Sequence, residues 1–104
     1  MTPHYSIDYC PVCGAGLLGV RICGLGTHDA HGLVVCDECE AIWKEPDVST
    51  PHQYTDASDA RCPKCALPLW GPQSRWATAE DLVYLNWQHA IDSDLNFPSG
   101  DQLA

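Results

Sequence analysis

The sequence predicts a small metal-stabilised α+β domain, a knuckle-closed β-hairpin followed by one C-terminal α-helix. Three observations predict it. The C-x-x-C pattern occurs three times, at Cys10/Cys13, Cys36/Cys39 and Cys62/Cys65, with twenty-two residues between successive pairs. Two short β-prone runs, Leu17–Ile22 and Leu33–Val35, flank a glycine-rich loop between the first two pairs. A helix start at Thr78 then precedes apolar residues at helical period.

The bulk numbers set the frame. The chain of 104 residues is enough for one domain. Apolar residues make up 45%, but seven of them are cysteines, and so lean a core calls for cross-links. Five basic against fourteen acidic residues give a formal charge of -9, which argues against nucleic acid and anionic membranes as partners. No apolar run reaches the roughly 20 residues a membrane span needs. An odd cysteine count without a secretory leader argues for a reduced, cytoplasmic setting rather than a disulfide framework.

Along the chain, residues 1–9 read as an N-terminal arm and 10–92 as a single zinc-binding domain. Within it, 10–43 form a double-knuckle hairpin, with Ala41–Trp43 as a third short strand. The stretch 44–61, rich in Pro, Ser, Thr and Asp, reads as an acidic, mobile surface loop. The third knuckle occupies 62–72. The helix is expected over 78–92: Thr78 caps it, Glu80 and Asp81 suit its first turn, and Leu82, Val83, Leu85, Trp87, Ala90 and Ile91 form a broad apolar arc. That arc packs on the core, and its surplus width leaves room for a partner or a homodimer contact. Residues 93–104 read as a flexible tail, with Pro98 and Gly100 against regular structure.

The segment Cys10–Gly19, CPVCGAGLLG, supports two readings. Residues 14–19 spell G-x-G-x-x-G, but a nucleotide loop needs a strand before it and a helix after it. Here a Pro-broken stub precedes it and a β-prone run follows. A metal knuckle explains the same glycines: two thiolates need a turn that folds the backbone N–H groups back over the sulfurs, and Gly14 takes φ > 0 there without steric cost.

Structural zinc takes four Cys or His ligands. Three pairs give six thiolates, Cys23 a seventh, and one histidine completes two sites. Cys10, Cys13, Cys36 and Cys39 close site 1. Cys23, Cys62, Cys65 and a histidine close site 2, with His28 chosen on reach across the Gly24–Gly26 loop and His31 as the alternative. His4, His52 and His89 read as free. Two zinc ions are therefore expected, and closed sites leave no position for a catalytic water; no catalytic residues are assigned.

The hairpin with a knuckle at each strand end resembles a zinc ribbon, and the interleaving of the two ligand sets resembles the cross-brace of RING domains over residues 10–65. The RING resemblance implies partner contacts at Val12, Trp43 and Pro63, where that family places apolar residues for a ubiquitin-conjugating enzyme. The spacings from Cys23 to His28 and from His28 to Cys36 are longer than that family usually shows, and Ala66 stands where many active ligases carry a basic residue. The C-P-x-C-G knuckle is also similar to rubredoxins, which implies iron, but only the first pair here is followed by Gly. The expected function is a zinc-binding protein-interaction adaptor that uses Trp70 and Trp87 as further contacts. A RING-like ubiquitin ligase module, a zinc-ribbon nucleic-acid binder and a rubredoxin-like electron carrier are the alternatives.

Overall fold

The computed structural model describes residues 5–55 and 58–92. Its centre is the hairpin expected from the two β-prone runs. Strand β2, Leu17–Cys23, pairs antiparallel with β3, His31–Cys36, in an unbroken register from Leu18↔Cys36 to Cys23↔His31. A short β4, Ile42–Trp43, joins the outer edge of β3. The other edge of β2 is shared. Its first half pairs with β1, Ser6–Tyr9, and its second half with β5, Ser74–Trp76. The two edge strands meet end to end at Val20, whose N–H donates to the Tyr5 carbonyl and whose carbonyl accepts from Ala77.

Two segments differ from the sequence reading. Residues 6–9 are not a free arm but an edge strand, because β2 would otherwise present unpaired backbone groups. No sequence signal marks β5, which is too short at three residues to show a period and is held by pairing with β2. The expected tail 93–104 lies outside the described residues.

Alternation along β2 and β3 sorts the core into two faces. Cys23, Leu33 and Val35 share one face with Ile42, Leu69 and Trp76, under the segment that carries the third knuckle. Leu18, Val34 and Cys36 face the other way, toward Trp43. On that second side Val20 packs with Leu82 of the helix α1, Ala79–Leu85.

The helix start is as expected. Thr78 accepts from the Asp81 N–H, and the Asp81 carboxylate accepts from the Thr78 N–H, closing a capping box. The end is not. Asn86 turns left-handed (φ 61) and donates its N–H to the carbonyls of Leu82 and Val83, so α1 stops at Leu85 instead of continuing to 91. A single 3-10 turn, Gln88–Ala90, follows. Trp87 still reaches the core, half-buried against Gly32, while Val83 is 63% exposed.

Candidate metal centre

Each C-x-x-C pair forms the same backbone turn. The residue after the second cysteine has positive φ in all three: Gly14 at 73°, Glu40 at 64° and Ala66 at 65°. The N–H of the first cysteine donates to a carbonyl beyond the turn, Cys10 to Gly16, Cys36 to Ala41 and Cys62 to Leu67. The backbone is thereby inverted so that its N–H groups point at sulfur. Val12 donates to Cys10 Sγ at 3.4 Å, Glu38 and Cys39 to Cys36 Sγ at 3.4 Å, and Lys64 to Cys62 Sγ at 3.4 Å. Only the first turn uses glycine; the other two accept the left-handed conformation with a side chain, at a cost of about 1–2 kcal/mol each.

The first and second knuckles converge where β2 starts and β3 ends. The sulfurs of Cys10, Cys13, Cys36 and Cys39 all lie within 4.8 Å of one another. Cys10 and Cys39 are 3.8 Å apart, and Cys13 and Cys36 are 3.7 Å apart. A tetrahedron with metal–sulfur bonds of about 2.3 Å has edges of about 3.8 Å, whereas a disulfide needs about 2.05 Å. The donor set and its spacing therefore fit a tetrahedral ion and not a pair of disulfides. Gly16 is required for that convergence, since a Cβ there would collide with Cys36 Sγ.

The electrostatics point the same way. The backbone N–H groups of Ala15 and then Gly16 lower the exposed Cys13 thiol to a pKa of about 6. Burial, above all, pushes Cys36 up to about 12 and also raises Cys39. Cys13 ionises readily, and Cys36 and Cys39 keep their protons until a cation offsets the crowded charge.

The other end of the hairpin gathers Cys23, His31 and Cys62, again within 4.8 Å. Register brings the first two together, because Cys23 and His31 are direct cross-strand partners on one face. His31 Nε2 lies 3.0 Å from Cys62 Sγ. His31 Nδ1 is bonded to the Asp29 carbonyl, which can only accept, so the proton sits on Nδ1 and the Nε2 lone pair is left for the cluster. Lys64 Nζ donates to the Gly32 carbonyl at 3.0 Å and so holds the third knuckle against β3.

The histidine in this group is the alternative, His31. His28 lies exposed at the tip of the β2–β3 loop and takes no part in the group. Cys65 stands next to Cys62, where burial and then its neighbour's thiol raise it, but its sulfur is outside the 4.8 Å group. Burial also raises Cys23 and Cys62. Beyond the ligands, Arg21 Nε donates to the Ser74 hydroxyl at 3.0 Å, and that hydroxyl lies 3.5 Å from Cys23 Sγ, an arrangement that turns a positive charge toward the thiolate.

The expected contact residues separate by exposure. Val12 is 42% exposed and Trp70 44%, while Pro63 and Trp87 are half-buried. Trp43 is 1% exposed and donates its indole N–H to the Thr50 carbonyl at 3.0 Å; it is core, since β3–β4 pairing turns it inward against Val34. Tyr54 went unnoticed in the sequence. It stands exposed near Cys39, Cys10 and Cys13, with its hydroxyl raised by burial and then by those thiols. The Ile42↔Gln53 bridge folds the segment back on β4, and ring contacts of His52 with Trp43 and with Tyr54 itself place it there.

Among the described residues no helix is long and apolar enough to cross a membrane. The chain matches no protein-family model, no curated protein and no solved structure.

Proposed function

We propose that the chain is a zinc-binding adaptor in which two structural ions fix a small surface for contact with another protein. The observation that carries this reading is the closed Cys10/Cys13/Cys36/Cys39 cluster. Four protein thiolates at tetrahedral spacing fill the coordination sphere, so an ion there holds the fold and activates no water. The first knuckle presents Val12, with exposed Tyr54 beside the cluster. A Cys₄ ion adds a net charge of about −2 and a Cys₃His ion about −1, which takes the chain from -9 to about −12 and favours a protein partner over nucleic acid.

Native mass spectrometry with elemental analysis tests the metal reading. Two zinc ions per chain are expected. Iron, with its thiolate colour, would replace the adaptor by an electron carrier, and a single ion would reduce the second site to a spare knuckle.

One feature favours a second reading, a RING-like ligase module. The ligands alternate along the chain between the two groups, in the manner of a cross-brace. Burial of Trp43 removes one of the three surface positions that reading relies on. An assay of ubiquitin discharge from a charged conjugating enzyme separates the two, and the adaptor reading expects no stimulation.

A further inference from the structure

Arg21 occupies the middle of β2, yet only 5% of it is exposed. Buried charges are ordinarily paired with an opposite charge. Among the described residues no carboxylate lies in ion-pair range of Arg21; the ion pairs are Arg61–Asp59 and Arg75–Asp81. Both of its hydrogen bonds use Nε, to the Leu69 carbonyl and the Ser74 hydroxyl, each at 3.0 Å. Its guanidinium carbon lies 4.3 Å from the Trp70 ring centroid and 5.0 Å from that of Trp76. The head group is thus anchored along one edge and flanked by indoles, and among the described residues its two Nη groups have no acceptor. A second donor lacks one as well, the buried Nε1 of Trp76.

These side chains line a cleft of about 560 Å³. Asp37, inside the second knuckle, and Glu40, just after it, line it too and supply negative charge; one Asp37 oxygen accepts from the Leu17 N–H at 2.9 Å, which leaves the other for the cleft. The remaining cation, Arg75, is committed to Asp81 through two hydrogen bonds of 2.9 and 3.0 Å. The cleft therefore offers a guanidinium with no carboxylate partner among the described residues, an exposed indole wall and two carboxylates.

We infer that this cleft binds a small zwitterion of amino-acid or short-peptide size. Its carboxylate pairs with the Nη edge of Arg21, its ammonium with Glu40 and Asp37, and its apolar body with Trp70. A guanidinium fork matches a carboxylate with two parallel hydrogen bonds, and a flat indole accepts an aromatic or aliphatic side chain. The two acids and the chain's charge of -9 disfavour a phosphate dianion, which has no ammonium to offset them. The site is separate from both metal groups in its ligand chemistry and does not depend on the adaptor reading.

The experiment uses zinc-loaded, ¹⁵N-labelled full-length protein and follows the indole Nε1–H signals of Trp70 and Trp76. The probes are L-phenylalanine, phenylacetate and phenethylamine. L-Phenylalanine is expected to give saturable shifts at both indoles with a dissociation constant around 1 mM, the scale of a ligand of so few atoms. Phenylacetate should bind several-fold more weakly, and phenethylamine should give no saturable shift. Trp70→Ala, on an exposed side chain, should weaken phenylalanine by about tenfold. Glu40→Gln should erase the preference for phenylalanine over phenylacetate, and Arg21→Gln, if its amide spectrum stays dispersed, should abolish binding. Absence of saturation by L-phenylalanine, an equal response to phenethylamine, or indifference to both Trp70→Ala and Glu40→Gln would overturn the inference and leave Arg21 as a counter-charge for Cys23 alone.

Discussion

The two ends of the β2–β3 hairpin solve one chemical problem with different degrees of completeness. At the Cys36 end, two knuckles meet symmetrically. Four sulfurs stand at tetrahedral edge lengths, and each pair sits on its own inverted turn. At the Cys23 end, one knuckle meets two strand residues. His31 Nε2 approaches Cys62 at 3.0 Å, shorter than the roughly 3.6 Å edge that metal bonds of about 2.1 and 2.3 Å would set, and Cys65 stands off. A knuckle presents its sulfurs by local backbone geometry, so two knuckles reach metal geometry wherever they meet. Strand residues depend on register and on the docking of a distant segment, and an ion bound there would have to make the last adjustment.

That contrast is open to direct attack. The largest effect should come from the symmetric end. Cys36→Ser removes a fully buried ligand, and Gly16→Ala drives a Cβ into the same sulfur. Ion binding at such sites contributes on the order of 10 kcal/mol to folding, against a total stability of about 5–15 kcal/mol. Either variant should lose amide dispersion, and a dispersed, metal-free spectrum would refute the claim. At the other end, His31→Ala should lower the ion count from two to one by native mass spectrometry while the first site stays filled. His28→Ala should change neither, because that side chain is exposed and outside the group.

Smaller effects test the knuckle turns themselves. Glu40→Gly and Ala66→Gly relieve a left-handed side chain and should each raise the unfolding free energy measured by denaturant titration, by about 1 kcal/mol, while Gly14→Ala should lower it by a similar amount. The smallest effect concerns acid. The Arg75 guanidinium, first, and the Thr78 N–H lower the Asp81 carboxyl. A depressed folded value means that the stabilisation is complete above the ordinary carboxylate pKa of about 3.9 and is lost as pH falls through the folded value. Asp81→Asn should therefore flatten the acid limb of the stability curve below about pH 4 and cost about 1 kcal/mol at neutral pH, a value already discounted because Arg75 is half exposed.

Much of this was legible in the residues. Three C-x-x-C pairs and two β-prone runs located the hairpin and the complete site, because both signals are local. Geometry groups His31, the alternative, with Cys23 and Cys62 and leaves His28 outside, because strand register decides the matter and reach across the glycine loop does not. The pairing that sets Leu18 opposite Cys36 also sets Cys23 opposite His31, so the hairpin already contained the answer. The length of α1 was not legible, since Asn86 reads as an ordinary helix-tolerated residue until its left-handed conformation is seen. Nor was the Arg21 cleft, whose walls come from β2, β5, the second knuckle and the loop between residues 65 and 73.

Strand β3 carries a member of each group, with His31 at one end and Cys36 at the other. Six residues of extended chain keep them about 16 Å apart, too far for either ion to feel much of the other's charge through screened water. They are coupled mechanically all the same. An ion seated at Cys36 pins the hairpin register, and that register is what holds His31 opposite Cys23. The second ion then meets a prepaid geometry and binds at a lower free concentration than it would alone. By reciprocity, a filled second site tightens binding at the first by the same free energy. Under zinc limitation the population should divide between empty and doubly loaded chains, with singly loaded ones scarce.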